Sequence, residues 1–259
     1  MTGAASQESL LQAVTECAEL AGSVAFSHYR KDVAVEWKGD GSPVTIADRS
    51  AEEAVRGWIR ARFPSDGILG EEFGEHAGTS GRRWVIDPID GTKSFVRGVP
   101  LWGSLVAVVE DERALAGAAS FPAVGEIIAA AAGCGSWHNG SRARVSAIAN
   151  LASATALISD DRVFPSTEAR EAWEGLAGQV AVCRTWGDAF GYLLVATGRA
   201  EVMADAIINA WDVACFQPIV EEAGGIFTDF AGAATAFGGN SIATNAALAA
   251  ETRRILCST

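Results

Sequence analysis

The stretch Trp84-Val85-Ile86-Asp87-Pro88-Ile89-Asp90-Gly91-Thr92 joins a short apolar run to an acidic segment that holds one proline and one glycine. The apolar part predicts a strand, and the acidic part predicts a turn or helix start at its C-terminal end. Pro88 fixes the backbone there, and Gly91 permits close approach of a ligand. Two carboxylates three positions apart in such a turn can flank one hard cation or bridge two. Gly91 and Thr92 would present backbone N–H groups where a phosphate is favoured. Oxygen-only donors select magnesium, manganese or calcium over zinc or copper, and His28, His76 and His138 lie outside every motif. For this fragment alone, a plain surface turn remains an equal reading.

Working outward, Gly67 to Gly70 is a second strand-like run that ends on Glu71 and Glu72, so its acids could converge with Asp87. A helix is predicted from Asp48 to Arg62, with Thr45 near its start and Pro64 as its stop, and an opening amphipathic helix from Gln7 to Arg30. Runs at Ser104–Val109, Ala114–Ser120 and Glu126–Ala131, with a hairpin signal at Asn139-Gly140, predict an antiparallel meander. After Val145 strand-like and helix-like segments alternate, including one helix over Trp211–Glu222, as expected for helices packed on a sheet. The organisation expected is an α+β subdomain over residues 1–145, with an antiparallel sheet and most metal ligands, and an α/β subdomain over 146–259 that supplies Asp212 and substrate contacts.

The chain of 259 residues is 49% hydrophobic, which is ample for a buried core. Its net charge of -12 opposes nucleic acid over most of the surface. A phosphorylated small molecule is still compatible if bound cations cover the local carboxylates. Cys17, Cys134, Cys183, Cys215 and Cys257 are odd in number and widely spaced, as in a reduced cytoplasmic protein. Met1 to Leu10 lacks a signal-peptide pattern, and no apolar stretch approaches the ~20 residues of a membrane span. A cytoplasmic protein with no membrane or nucleic-acid partner is therefore expected.

Glu71 and the Trp211-Asp212 pair add acids at strand and helix ends that one crevice could gather. Together the motifs resemble the inositol monophosphatase-like family of metal-dependent phosphatases. They run in order: Lys38 with Thr45-Ile46-Ala47-Asp48, Gly70-Glu71-Glu72, the Trp84–Thr92 stretch, Ala196-Thr197-Gly198, Trp211-Asp212-Val213-Ala214 and Glu222-Ala223-Gly224-Gly225. The resemblance covers nearly the whole chain. It implies a layered αβαβα sandwich and two to three Mg2+ ions per site, with Mn2+ as a substitute, Li+ as an inhibitor, and a homodimer. By positional match, Glu71, Asp87 and the Ile89 carbonyl hold a first ion, Asp87, Asp90 and Asp212 a second, and a weaker third sits near Glu71. Asp48, Glu71 and Thr92 are the implied catalytic residues: Thr92 paired with Asp48 deprotonates a metal-activated water, and the Gly91 and Thr92 N–H groups receive the phosphate.

Thr92 to Trp102 and Trp186 to Tyr192 look like the version in family members that hydrolyse L-histidinol phosphate. Asp188 and Asp205, with Asp212, are the expected contacts to the leaving group, because carboxylates suit an ammonium and an imidazole better than a neutral polyol. A helix cap for Asp188 and a turn acid for Asp205 are the plain alternatives. Trp102 and Trp186 could stack on imidazole or belong to the core, and Arg97 could be a surface charge. The expected activity is a Mg-dependent L-histidinol-phosphate phosphatase of histidine biosynthesis. Its rivals are a phosphatase of inositol 1-phosphate, fructose 1,6-bisphosphate or a nucleotide 3'-phosphate, and a non-catalytic binding protein on the same fold.

Overall fold

The structure is a computed structural model that describes residues 6–39 and 41–257. The first five residues of the Met1–Leu10 segment read above lie outside the described residues. The chain begins with α1 (Gln7–Phe26), β1 (Val35–Trp37), β2 (Pro43–Thr45), α2 (Ile46–Arg62), β3 (Gly67–Gly70), β4 (Gly74–His76), β5 (Arg82–Asp90) and α3 (Thr92–Val96). A meander follows: β6 (Gly103–Glu110), β7 (Arg113–Phe121), β8 (Glu126–Ala131), β9 (Gly135–His138) and β10 (Ser141–Arg142). The remainder is β11 (Thr155–Leu157), α4 (Thr167–Ala177), β12 (Val182–Arg184), α5 (Ala189–Ala196), β13 (Val202–Asp205), α6 (Ala210–Val213), α7 (Phe216–Glu222), β14 (Gly225–Thr228), β15 (Ser241–Asn245) and α8 (Ala249–Leu256).

Two sheets order these strands. The larger runs β10-β9-β8-β7-β6-β5-β3-β4, antiparallel except where β3 meets β5, and the smaller runs β12-β11-β13-β15-β14. The pattern of β6 explains the layering. Val106 and Val108 point to a core shared with α1 and α2, whereas Leu105, Ala107 and Val109 point to a core shared with α5, α7 and the smaller sheet. A strand covered on both faces reads as one continuous apolar run. The far face of the smaller sheet is closed by α4 and α8 through Trp173, Leu176, Leu248 and Leu256. The layers are therefore αβαβα, as the resemblance implies. Among the described residues no helix is long and apolar enough to cross a membrane.

Three local expectations need correction. The opening helix stops at Phe26, where the Ser27 hydroxyl donates back to the Val24 carbonyl at 2.7 Å and Arg30 takes a positive φ of 57°. The single helix expected over 211–222 is two, α6 and α7, because Pro218 has no N–H to offer the Ala214 carbonyl. The Asp87–Asp90 segment, expected as a turn, remains within β5, and the chain turns only at Gly91.

One buried group fixes the loop that carries Glu71. Glu52, fully buried on α2, accepts the N–H groups of Glu72 at 2.8 Å and Phe73 at 3.2 Å and pairs with Arg56 at 2.6 Å. Gly70 makes room for it, since a Cβ at that position would collide with the Glu52 carboxylate. Gly70→Ala is expected to destabilise the protein by roughly 3 kcal/mol, measured by denaturant unfolding, because it displaces a buried, hydrogen-bonded charge.

Candidate active site

Side chains alternate along a strand, so Asp87 and Asp90 would normally point to opposite faces. Their pairing with β6 prevents this. Asp87 lies opposite Leu105 and Asp90 opposite Gly103, so three steps on β5 match two on β6. The extra residue is a β-bulge, and it reverses the alternation so that both carboxylates face the same way. Pro88 is tolerated there, its carbonyl accepting from Ser104 Oγ at 2.6 Å, while Ile89 turns its side chain into a cluster with Ala47, Phe95 and Trp102. Carboxylate oxygens of Asp87, Asp90 and Asp212 all lie within 4.8 Å of one another.

Two further acids arrive on helix caps. Asp212 is the third residue of α6 and accepts the Asn209 N–H on Oδ2 at 2.9 Å; Asp48 holds the same place in α2, accepting Thr45 N–H at 2.8 Å and Thr45 Oγ1 at 2.7 Å on its Oδ2. Each is a reciprocal capping box. In each, Oδ1 is left outside the cap, and that of Asp48 faces Thr92 Oγ1 at 3.4 Å. The Thr92 hydroxyl donates to the Ile89 carbonyl at 2.9 Å. Glu71 stands at the end of β3, next to β5, where Lys38 bonds it at 2.7 Å and Glu72 at 2.6 Å.

Charge at this place is poorly compensated. Asp87 and Asp90 are 2% and 8% exposed, and no Lys or Arg among the described residues forms an ion pair with them or with Asp212. Burial, then the charges of Glu71, Asp90 and Asp212, hold the Asp87 carboxyl well above the usual range. Burial and the charges of Asp188 and Asp212 do the same for Asp90. Burial raises Asp212 to about 7, Asp188 to about 6, and Asp48 upward despite its Thr45 bonds. Oxygen donors this close, acidic, buried and free of nitrogen or sulfur ligands fit a hard divalent cation.

Gly91 links this cluster to the start of α5. It adopts φ 81°, and a Cβ there would meet the Leu101 carbonyl at 3.0 Å and Asp188 Oδ2 at 3.2 Å. Asp188 does begin α5, but its side chain makes no capping bond. It lines a cavity with Asp90, Asp205 and Asp212. Asp205 is buried and bonded on both oxygens, by Ser159 N–H at 3.1 Å and Tyr192 Oη at 2.8 Å. Trp102 is fully buried between Tyr29 and Phe95, so it cannot stack on a ligand. Trp186 is half exposed, and Arg97 lines a separate surface cavity with Val35 and Trp37.

Sequence reading gave no role to Glu52, Tyr192 or Asn209. The Asn209-Ala-Trp-Asp212 spacing is a capping-box signal that would have found Asn209; Glu52 and Tyr192 carry no comparable signature.

Residues 6–259 match the family model described as the Inositol monophosphatase family. The chain is 44% identical over 223 residues to a histidinol-phosphatase of Chlorobaculum parvum, covering 86% of each, and 41% identical to one of Mycobacterium tuberculosis, covering 84% of this chain and 85% of the relative. Among solved structures, an IMPase of Thermotoga maritima superposes with a TM-score of 0.85 at 31% identity, over 94% of this chain and 95% of that one.

The raised carboxyls set a pH dependence. A group whose pKa is higher folded than unfolded adds stability below its unfolded value, here near 3.8, and that stability is lost as pH rises through the folded value. Protein stripped with EDTA should therefore melt at progressively lower temperature as pH rises from about 4 through 6–7. Saturating magnesium should raise the melting temperature at neutral pH and flatten that slope; scanning fluorimetry of the two forms measures both.

Proposed function

The chain belongs to the inositol monophosphatase family and is a phosphatase of that family; from that premise we propose that its substrate is L-histidinol phosphate, hydrolysed with magnesium to L-histidinol and phosphate. The observation that carries the substrate is the Asp188 carboxylate. It is half-buried beside the acidic cluster, it accepts no hydrogen bond among the described residues, Asp205 adds a second negative charge next to it, and Lys93 offsets only part of that charge. An ammonium close to the phosphate ester answers that charge, whereas a neutral polyol leaves it unpaired. The relatives named histidinol-phosphatase support the same choice.

In this reading Asp87, Asp90, Asp212, Glu71 and the Ile89 carbonyl hold the magnesium ions. When bound, magnesium offsets charge on the phosphoryl oxygens and acidifies the attacking water. Thr92 and Asp48 take that water's proton. The Thr92 hydroxyl turns from the Ile89 carbonyl, 2.9 Å away, towards Asp48 Oδ1, 3.4 Å away, passing on its own proton as it receives the water's. Asp48 suits this because burial makes its carboxylate more basic than usual. The N–H groups of Gly91 and Thr92, at the start of α3, receive the phosphate, Asp188 orients the leaving alcohol, and Asp205, bonded on both oxygens inside the protein, acts on it through charge. No covalent bond to the enzyme is needed.

A substrate panel tests the reading: phosphate release, in magnesium, from L-histidinol phosphate, inositol 1-phosphate, fructose 1,6-bisphosphate and 3'-phosphoadenosine phosphate. Histidinol phosphate should give the highest kcat/KM, and a wide margin for inositol phosphate overturns the assignment. Asp90→Asn should lower kcat by about 10²–10³-fold or more while the protein stays folded. Full activity in that variant would remove Asp90 from the mechanism.

A further inference from the structure

The crevice beyond the acidic cluster has two compartments of unequal size. The inner one, about 110 Å³, is lined by Asp90, Asp188, Tyr192, Asp205 and Asp212. The outer one, about 350 Å³, adds Lys93, Ser94, Asp160, Val163 and Thr185. Ser159, Asp188, Asp205 and Ile207 line both, so the two are continuous. The inner space is smaller than the roughly 150 Å³ dry cavity that holds a benzene ring, so a small group fits it better than a ring. The outer space falls in the range of ordinary small-molecule sites.

Both compartments mix acids with apolar side chains: the inner walls set Ile207 and Ile208 beside four aspartates and Tyr192. At the outer mouth Val163 and Ile207 are 48% and 57% exposed, two large apolar side chains left open at the lip of a polar crevice. Asp160 lines the same outer space, and its carboxylate is held by Arg162 through N–H at 3.0 Å, Nε at 2.9 Å and Nη2 at 2.9 Å. Those bonds keep its carboxyl down at about 2 and fix its orientation, so it is a pre-organised acceptor at neutral pH.

We infer that the leaving group spans both compartments, with an ammonium against Asp188 in the inner one and a planar nitrogen heterocycle in the outer one, flanked by Val163 and Ile207 and donating an N–H to Asp160. Asp160, Val163 and Ile207 are then specificity-determining residues for an amino-alcohol phosphate that carries a ring. This rests on the reading of the site as a phosphatase of L-histidinol phosphate. A polyol phosphate has neither the ammonium nor the flat apolar ring faces, and it leaves Asp188 unpaired.

The test compares L-histidinol phosphate with L-alaninol phosphate, which keeps the ester and the ammonium and lacks the ring. Wild type, Asp160→Ala and Ile207→Ala are assayed in magnesium. The ratio of kcat/KM for the two substrates should fall about tenfold in each variant, with the loss in KM and not in kcat, as expected for one hydrogen bond or one apolar contact. A wild-type preference for histidinol phosphate with the ratio unchanged in both variants overturns this inference alone. A wild-type preference for inositol 1-phosphate overturns the substrate reading beneath it.

Discussion

Strand geometry would set Asp87 and Asp90 on opposite faces of β5 were it not for one extra residue placed against β6. That bulge turns a stretch of sheet interior into a site with two carboxylates facing one way, and the rest of the fold serves to hold it there. The strand must be rigid, which is why it is buried on both sides by separate cores. It must also stop abruptly, and Gly91 in its left-handed conformation ends β5 and opens α3 within a single residue. The parallel neighbour β3 delivers Glu71 to the same end of the sheet, with its loop tied down by the buried carboxylate of Glu52.

The electrostatic consequence is a cluster of acids that the folded chain does not neutralise by itself. Asp48 and Asp212 show how the fold limits that burden. Each uses one oxygen to cap the helix on which it sits and leaves the other outside the cap, so a carboxylate at the candidate site also satisfies a helix N-terminus. Asp87 gains less from its neighbours, since Ile89 N–H, at 3.0 Å, is the one backbone donor seen on it among the described residues. Lys38 pairs with Glu71 and Glu72 and not with the aspartates. Native-state strain of this kind is tolerable when a cation is part of the native state.

Most of the fold was legible in the sequence because its elements are simple. The meander strands carry unbroken apolar runs, and α2 carries both its cap and its stop. The bulge was not legible, because Asp-Pro-Ile-Asp-Gly has the composition of a turn, and what keeps it in a strand is pairing with β6, a partner distant in the chain. The break between α6 and α7 was visible in Pro218. Trp102 was ambiguous for a different reason: an indole beside the active-site motif can face either way, and only its packing against Tyr29 and Phe95 decides it. Asp205 lay at the expected place, but its two protein bonds depend on Tyr192 and Ser159, from other elements of the smaller-sheet layers.

Those two bonds bear on how one scaffold separates reaction from substrate. In the proposed reading, residues around the phosphate come from β5, from α3 and from the caps of α2 and α6, and their positions follow from backbone features that tolerate little change. Those assigned to the leaving group come from the smaller sheet and the start of α5, at Ser159, Asp160, Asp188 and Asp205. Asp205 spends both oxygens inside the protein, so its effect on a ligand passes through charge. It raises the proton affinity of Asp188, next only to burial itself, and in the proposed reading an arriving ammonium relieves that repulsion by pairing with a carboxylate that accepts no hydrogen bond among the described residues. Substrate choice can therefore shift through side chains on one layer while the bulge, the glycine turn and the two caps on the others keep the hydrolytic chemistry as it is.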